Sequence, residues 1–273
     1  MSSQNAVNWS PTQYDTIVGA AGGGISSVSP GTSAQIFTSN GASSNPSYQA
    51  VPSLALSVNI QSFTSSGTYT PTSGMRWCEI EIWGGGGSGG VAVVTNVSVG
   101  ACIGGAGGGG GYSRGIFYNT TIGSSKSVTI GAGGSASAGG NSSVGSLITA
   151  NGGGRGVTAT DYTTAGITAS IAGGSSSGGQ LNFSGGAGPV GVSVAAGQIE
   201  TNGMALGGPG GEGIYGGAAK GSIILSTGTN GTGNAADNYG GGGSGGRGIN
   251  SPGQQPGGVG SAGLVTITEW IFS

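Results

Sequence analysis

Side chains able to do acid–base, nucleophilic or metal chemistry are few in this chain of 273 residues. There is no histidine, the cysteines are Cys78 and Cys102, and the aspartates are Asp15, Asp161 and Asp237. Without histidine the usual general base near neutral pH is missing. Two cysteines fall short of the four ligands of a structural zinc site. Neither a metal nor a cofactor is therefore expected, and both thiols are read as free. Glu79 and Glu81 fall on one side of an alternating segment and could be imagined as a glycosidase pair. We read them instead as a solvated or inter-subunit strand face. At this glycine density G-x-G-x-x-G arises by chance, and no G-x-x-x-x-G-K-[ST] is present. Three aspartates cannot supply repeated calcium-binding turns. The chain is expected not to be an enzyme.

Charge narrows the partners further. Six basic and eight acidic residues give a net charge of −2, which offers no electrostatic footprint for nucleic acid. No apolar run is long enough for a transmembrane helix, so no membrane insertion is expected. The first residues, MSSQNAVNWSPTQ, lack the basic and apolar regions of a signal peptide. Synthesis in a cytoplasm is the expectation.

The elements that must position any functional residue are unusual. Glycine supplies 68 residues, and only six of them precede residue 61. The rest gather in blocks such as Gly84–Gly90, Gly104–Gly111, Gly207–Gly213 and Gly240–Gly246. Glycine weakens helices and strands by roughly 0.5–1 kcal/mol per site relative to alanine, so repeated use implies that the missing Cβ is needed. The polyproline-II-type helix has three residues per turn, rises about 3.1 Å per residue and makes no internal hydrogen bonds. Its amides and carbonyls point outward and can bond to neighbouring helices when no side chain keeps the backbones apart. A seven-residue block would span roughly 22 Å at that rise.

Strand signals bracket the blocks. Met75–Trp83 alternates most clearly, with Cys78, Ile80 and Ile82 on one side and Trp77, Glu79, Glu81 and Trp83 on the other. Phe63–Thr70, Gly115–Thr121, Lys126–Gly131, Ser146–Ala150 and Leu264–Phe272 also read as strands, and 75–83 is expected to pair with 264–272. The fold class is all-β with polyglycine-II-type helices. A short β module over 1–60 precedes a glycine-helix sandwich over 61–273, with no significant α-helix. The module holds short runs near Ile17, Ile25 and Ile36 between turn signals. It has too few large apolar groups to close a core alone, so association between copies is expected.

Between the blocks lie inserts that carry most of the remaining side-chain chemistry. They mix aromatics with Asn, Ser, Thr and Gly, a vocabulary suited to binding surfaces. The candidate contact residues are Tyr162, Phe183, Tyr215 and Tyr239, with the charged Asp161, Glu212, Asp237 and Arg247. Block and insert alternate as in a rigid body with loops at its ends.

The segments FTSSGTYTPTSGMRWCEIEIWGGGGSGG (63–90), GGGGGYSRG (107–115), VTIGAGG (128–134), GGNSSVGSLITANGGG (139–154) and GLVTITEWI (263–271) resemble, in their order, the glycine-rich domain at the ends of bacteriophage tail fibres. The stretch YDTIVGAAGGGISSVSPGTSAQIFTSNGASSNPSY (14–48) is similar to modules that recur in such fibres, often as intertwined trimers. The resemblance implies a virion tail-fibre or tail-tip adhesin, with the 1–60 module trimerising or attaching to other tail proteins. The inserts would present a tip to a host cell-surface receptor, either an outer-membrane protein or a glycan. Release by lysis would follow synthesis in the host cytoplasm. The alternatives are a purely structural virion or fibre protein and, last, a polysaccharide depolymerase.

Overall fold

The computed structural model describes residues 15–20, 24–33, 35–40, 44–50, 56–95, 100–161, 165–195, 203–214, 216–225 and 229–272. The chain divides into two compact units, the first ending at Ala55 and the second running from Leu56 to Phe272. In the first unit Thr16–Ala20 pairs antiparallel with Gly24–Val28, and Gln35–Thr38 with Ser47–Ala50. The rings of Phe37 and Tyr48 meet at 5.1 Å, and Tyr48 Oη lies 2.8 Å from Thr16 Oγ1. Ile17, Ile25, Ile36 and Phe37 stay exposed.

The second unit starts at Leu56 rather than Gln61, because Leu56–Phe63 is one strand bonded to Leu264–Phe272 along its whole length. Its two long strands pair antiparallel as expected, with Ile80 opposite Ile267. A bulge near Trp270 lets both Met75 and Cys78 face inward. The five-stranded sheet runs 181–183, 112–118, 75–83, 264–272, 56–63, and a second runs 176–177, 148–150, 142–144, 126–129, 67–69. Between them lies the main apolar core, which includes Ile80, Ile82, Val128, Val144, Ile148 and Ile267. Two strand expectations need correction. The 63–70 stretch breaks at residues 64–66, because Phe63 ends a strand of one sheet while Gly67–Tyr69 joins the other. The 115–121 stretch is Tyr112–Tyr118 followed by a single helical turn, Asn119–Ile122. That turn drops Ile122 into the core and is closed by Gly123 at φ 70°, whose amide donates to Asn119 O.

The glycine blocks leave these strands and pack side by side. Gly84, Gly87 and Gly90 donate to the carbonyls of Gly111, Gly108 and Gly105 at 2.9, 2.9 and 2.7 Å. The residues between turn elsewhere: Gly85 and Ser88 donate to Gly140 and Ser137, and Gly86 and Gly89 to Ser261 and Gly258. Each residue faces a new neighbour and every third returns to the same one, which is the three-residue turn of a polyglycine helix. The blocks 84–90, 104–111 and 240–246 form a mutually bonded inner triplet. Gly104, Gly107 and Gly110 donate to Gly246, Gly243 and Gly240, while Gly243 and Gly246 donate to Gly87 and Gly90.

Glycine is required here for approach, not for left-handed backbone angles. No glycine of 84–90 or 104–111 has positive φ. A Cβ on Gly86, Gly87, Gly104, Gly110 or Gly243 would instead fall inside 3.0 Å of a neighbouring carbonyl. Ser88 and Ser244 are tolerated because their hydroxyls bond the flanking backbone, Ser88 Oγ to Ser137 O at 3.1 Å and Asn234 N to Ser244 Oγ at 2.8 Å.

One buried carboxylate fastens the strand end. Glu269 is fully buried and accepts from Tyr69 Oη (2.8 Å), Thr72 N (2.9 Å), Thr72 Oγ1 (2.6 Å) and Asn59 Nδ2 (2.8 Å). Burial alone would raise its pKa, but the donors of Thr72, with those of Tyr69 and Asn59, outweigh it and hold the carboxyl below its ordinary value. Burial and the bond to Glu269 drive the Tyr69 phenol upward.

Two outcomes follow for denaturation experiments. Gly87→Ala should cost about 3 kcal/mol or more, since the opposing atoms are backbone and cannot yield. Gly67→Ala, whose nearest neighbours are Phe63 ring carbons at 3.9 Å, should stay within about 0.5 kcal/mol; equal effects would refute the lattice. Glu269→Gln should cost about 1–3 kcal/mol at neutral pH, by leaving buried donors without a charged acceptor. Because the folded pKa lies below the unfolded one, the carboxylate stabilises fully above about pH 4.3. That advantage over Gln should fade as pH falls through the unfolded and then the folded value, which urea titrations at several pH values would detect.

Candidate functional site

At the opposite end of the glycine helices the inserts do not form loose loops. Among the described residues they supply short strands in three small sheets. Ala92–Val94 lies between Ala159–Thr160 and Gly253–Gln255, and Arg247–Ile249 between Thr229–Gly231 and Ala101–Ile103. The third sheet runs Ala165–Ile167, Val192–Val194, Met204–Gly207, Ser222–Ile224, all antiparallel. Chains leaving a tightly spaced lattice have room for small side chains, and the clusters beneath the sheets are built from them. One contains Ala92, Val94, Cys102 and Ala159; the other contains Ala101, Ala195, Ala205 and Ile249.

Two of the expected contact residues sit at this end as internal fasteners. Asp161 Oδ2 accepts from Thr95 N at 2.7 Å and Thr95 Oγ1 at 2.6 Å, joining the parallel pair 92–94 and 159–160. Arg247 lies against Gly231, where a Cβ would overlap the guanidinium, and its Nη1 donates to Thr232 O at 2.8 Å. Burial lowers its pKa. The other residues are not gathered with them. Phe183 is at the strand end, on an edge strand paired with 112–118 and packed against Tyr112. Glu212 and Asp237 are exposed along the glycine helices, the first with its carbonyl bonded by Gly186 N at 2.7 Å. Asp237 shares a cavity of about 260 Å³ with Lys220 and Asn234. Tyr239 lines one of about 290 Å³ with Trp83 and Leu264. Tyr162 and Tyr215 lie outside the described residues. Glu79 and Glu81 are each engaged at the strand end, by Arg114 Nη2 at 2.7 Å and by Tyr112 Oη at 2.6 Å.

The surface that the structure adds is aliphatic. In the four-stranded sheet Ile167, Val192, Leu206 and Ile223 are direct partners across all four strands. They form one straight row. Gly166, Ser193, Ala205 and Ile224 alternate with them, with Ala205 in the inner cluster and Ile224 packed against it. The row therefore faces outward, with Ile167 67%, Ile223 52% and Leu206 41% exposed, and Leu225 beside it 58% exposed. None of the aromatic and charged residues expected from the sequence belongs to this row. The available signal was the alternation in VSV and the branched run SIIL, each only three or four residues long.

With this geometry in view, the sequence model of a family described as a glycine-rich domain matches residues 61–269. The chain belongs to this glycine-rich domain family. No curated protein matches the chain. The matched span of the glycine-rich domain takes in Met75–Trp83, most of Leu264–Phe272, every block of the inner triplet and the row at the insert end.

The thiols of the glycine-rich domain are structural. Both are buried and unbridged, Cys102 with its Sγ 3.0 Å from Ala159 O. Burial pushes each up to about 11, so thiolate is scarce at neutral pH. A thiol reagent should therefore find neither cysteine in the native protein at pH 7.5 and both after unfolding; rapid native labelling would contradict this packing.

Proposed function

We propose that this protein is a virion tail-fibre or tail-tip adhesin whose insert end meets a receptor on the host cell surface. One observation carries the reading: an outward aliphatic row, assembled by four strands from three inserts, stands on a lattice stiff enough to hold it in place. Soluble monomers rarely expose contiguous apolar patches larger than a few hundred Å² unless these are interaction sites. A lattice bonded at nearly every backbone amide limits the ordering that binding would otherwise demand of its contact surface. Of the two receptor classes, an outer-membrane protein suits an aliphatic row better than a glycan, whose hydroxyls need polar partners. The role is adhesive rather than catalytic, and the first unit attaches the adhesin to other tail proteins as a trimer. Several copies on one particle would raise avidity without new contacts. The particle acquires the protein in the host cytoplasm and leaves by lysis.

The test is adsorption. Leu206→Asp and Ile223→Asp place a charge on the exposed row without entering the core. Each should reduce binding of the purified protein to host cells at least ~10-fold, the scale of a lost interface anchor, while the thermal midpoint stays unchanged. Undiminished binding by both variants, with the fold intact, would reject this surface as the receptor site. Normal particle assembly without any cell binding by the parent protein would favour the purely structural role.

A further inference from the structure

The strand end carries a second uncovered sheet face, unrelated to the aliphatic row. One side of the five-stranded sheet closes the main core. On the other, Tyr118, Trp77, Trp270 and Val58 lie in register across four strands. The next row is Ile116, Glu79, Thr268 and Ile60. Trp77 stacks on Trp270 with centroids 6.2 Å apart and meets Phe272 at 5.2 Å. Ile60 is 62% exposed and Tyr118 65%. Leu56, Val58 and Ile116 are also exposed, and Leu56–Phe63 is one of the two edge strands.

We infer that a second copy of this chain packs on the Trp77–Trp270 face. Area supports it. Large side chains about half exposed bring this face to the order of 600–800 Å² of apolar surface, above what monomers usually leave open and near one partner's share of a standard interface. The polar groups of this face are already engaged within the chain: Glu79 is paired with Arg114, and Glu81, still charged, accepts from Tyr112. An open sheet face whose exposed area is mostly aromatic and aliphatic matches the apolar character of interfaces between identical subunits. Face-to-face packing of two such sheets is an ordinary way to bury them. The contact is separate from the receptor reading and stands or falls without it.

The test uses the full chain, with sedimentation for mass and hydroxyl-radical labelling for coverage. The parent protein should be multimeric at micromolar concentration, with Tyr118 and Ile60 protected. Ile60→Asp combined with Ile116→Asp should weaken association by at least ~100-fold and expose Tyr118 to labelling, with an unchanged thermal midpoint. Should that pair not fold, Tyr118→Asp alone replaces it, with Ile60 labelling as the readout. A variant that stays multimeric yet labels freely on this face also supports the contact, other contacts then holding the copies. A monomeric parent overturns the inference whether the face is labelled or protected, protection then belonging to the first unit of the same chain. A multimer whose labelling and affinity the substitutions leave unmoved overturns it as well.

Discussion

Every other feature of the second unit rests on amide-to-carbonyl bonds between parallel and antiparallel glycine helices. Around 84–90 the partners come from six directions: 104–111, 137–140 and 258–261 accept, while Gly134, 153–156 and 243–246 donate. Such bonding tolerates almost no Cβ on the inner members, because the space a methyl would take already holds a carbonyl. The net worth of each bond is modest, about 1 kcal/mol. The cost of leaving a buried amide unpaired is larger. Once packing excludes water, completing the network is the only arrangement open to these segments.

Hydrophobic burial is thereby displaced to the two ends. At the strand end Ile80, Ile82, Val128 and Ile267 close a β-sandwich core, and Glu269 threads a charge through it by collecting four donors. At the insert end mostly small side chains suffice, alanines with Val94, Cys102 and Ile249, since the strands emerge already close together. Stiffness and apolar packing, which share one interior in most domains, occupy different zones here. Each end still presents an open sheet face, aromatic at one and aliphatic at the other.

Much of this was legible in the residues. The alternation in Met75–Trp83 and Leu264–Phe272 announced two strands that pair, and the blocks announced helices needing contact without side chains. The sequence was silent on which end of the lattice an insert would reach. A block can cross the lattice, as 84–90 does, or double back within it, as 131–134 and 138–141 do around residues 135–137. Phe183 and Asp161 look alike as insert residues, yet the chain brings them out at opposite ends. Three-residue strands such as Val192–Val194 carry too little periodicity to declare themselves. Their neighbours are chosen by the spacing of the helices that deliver them. Nothing local in Leu56–Ile60 marks its pairing, because its partner, 264–272, lies more than 200 residues further along the chain.

The inner triplet draws its members from positions 84–90, 104–111 and 240–246, and its bonded neighbours extend to residue 262. A ribosome releases the first two long before the third. Contacts so distant along the chain make assembly slow and forbid stepwise completion during translation. A polypeptide terminated early would lack a central rod and leave the others' amides bare, so it could not adopt a partial version of this architecture. Synthesis of residues 240–262 thus acts as a checkpoint, admitting to the native state only copies that carry the third rod.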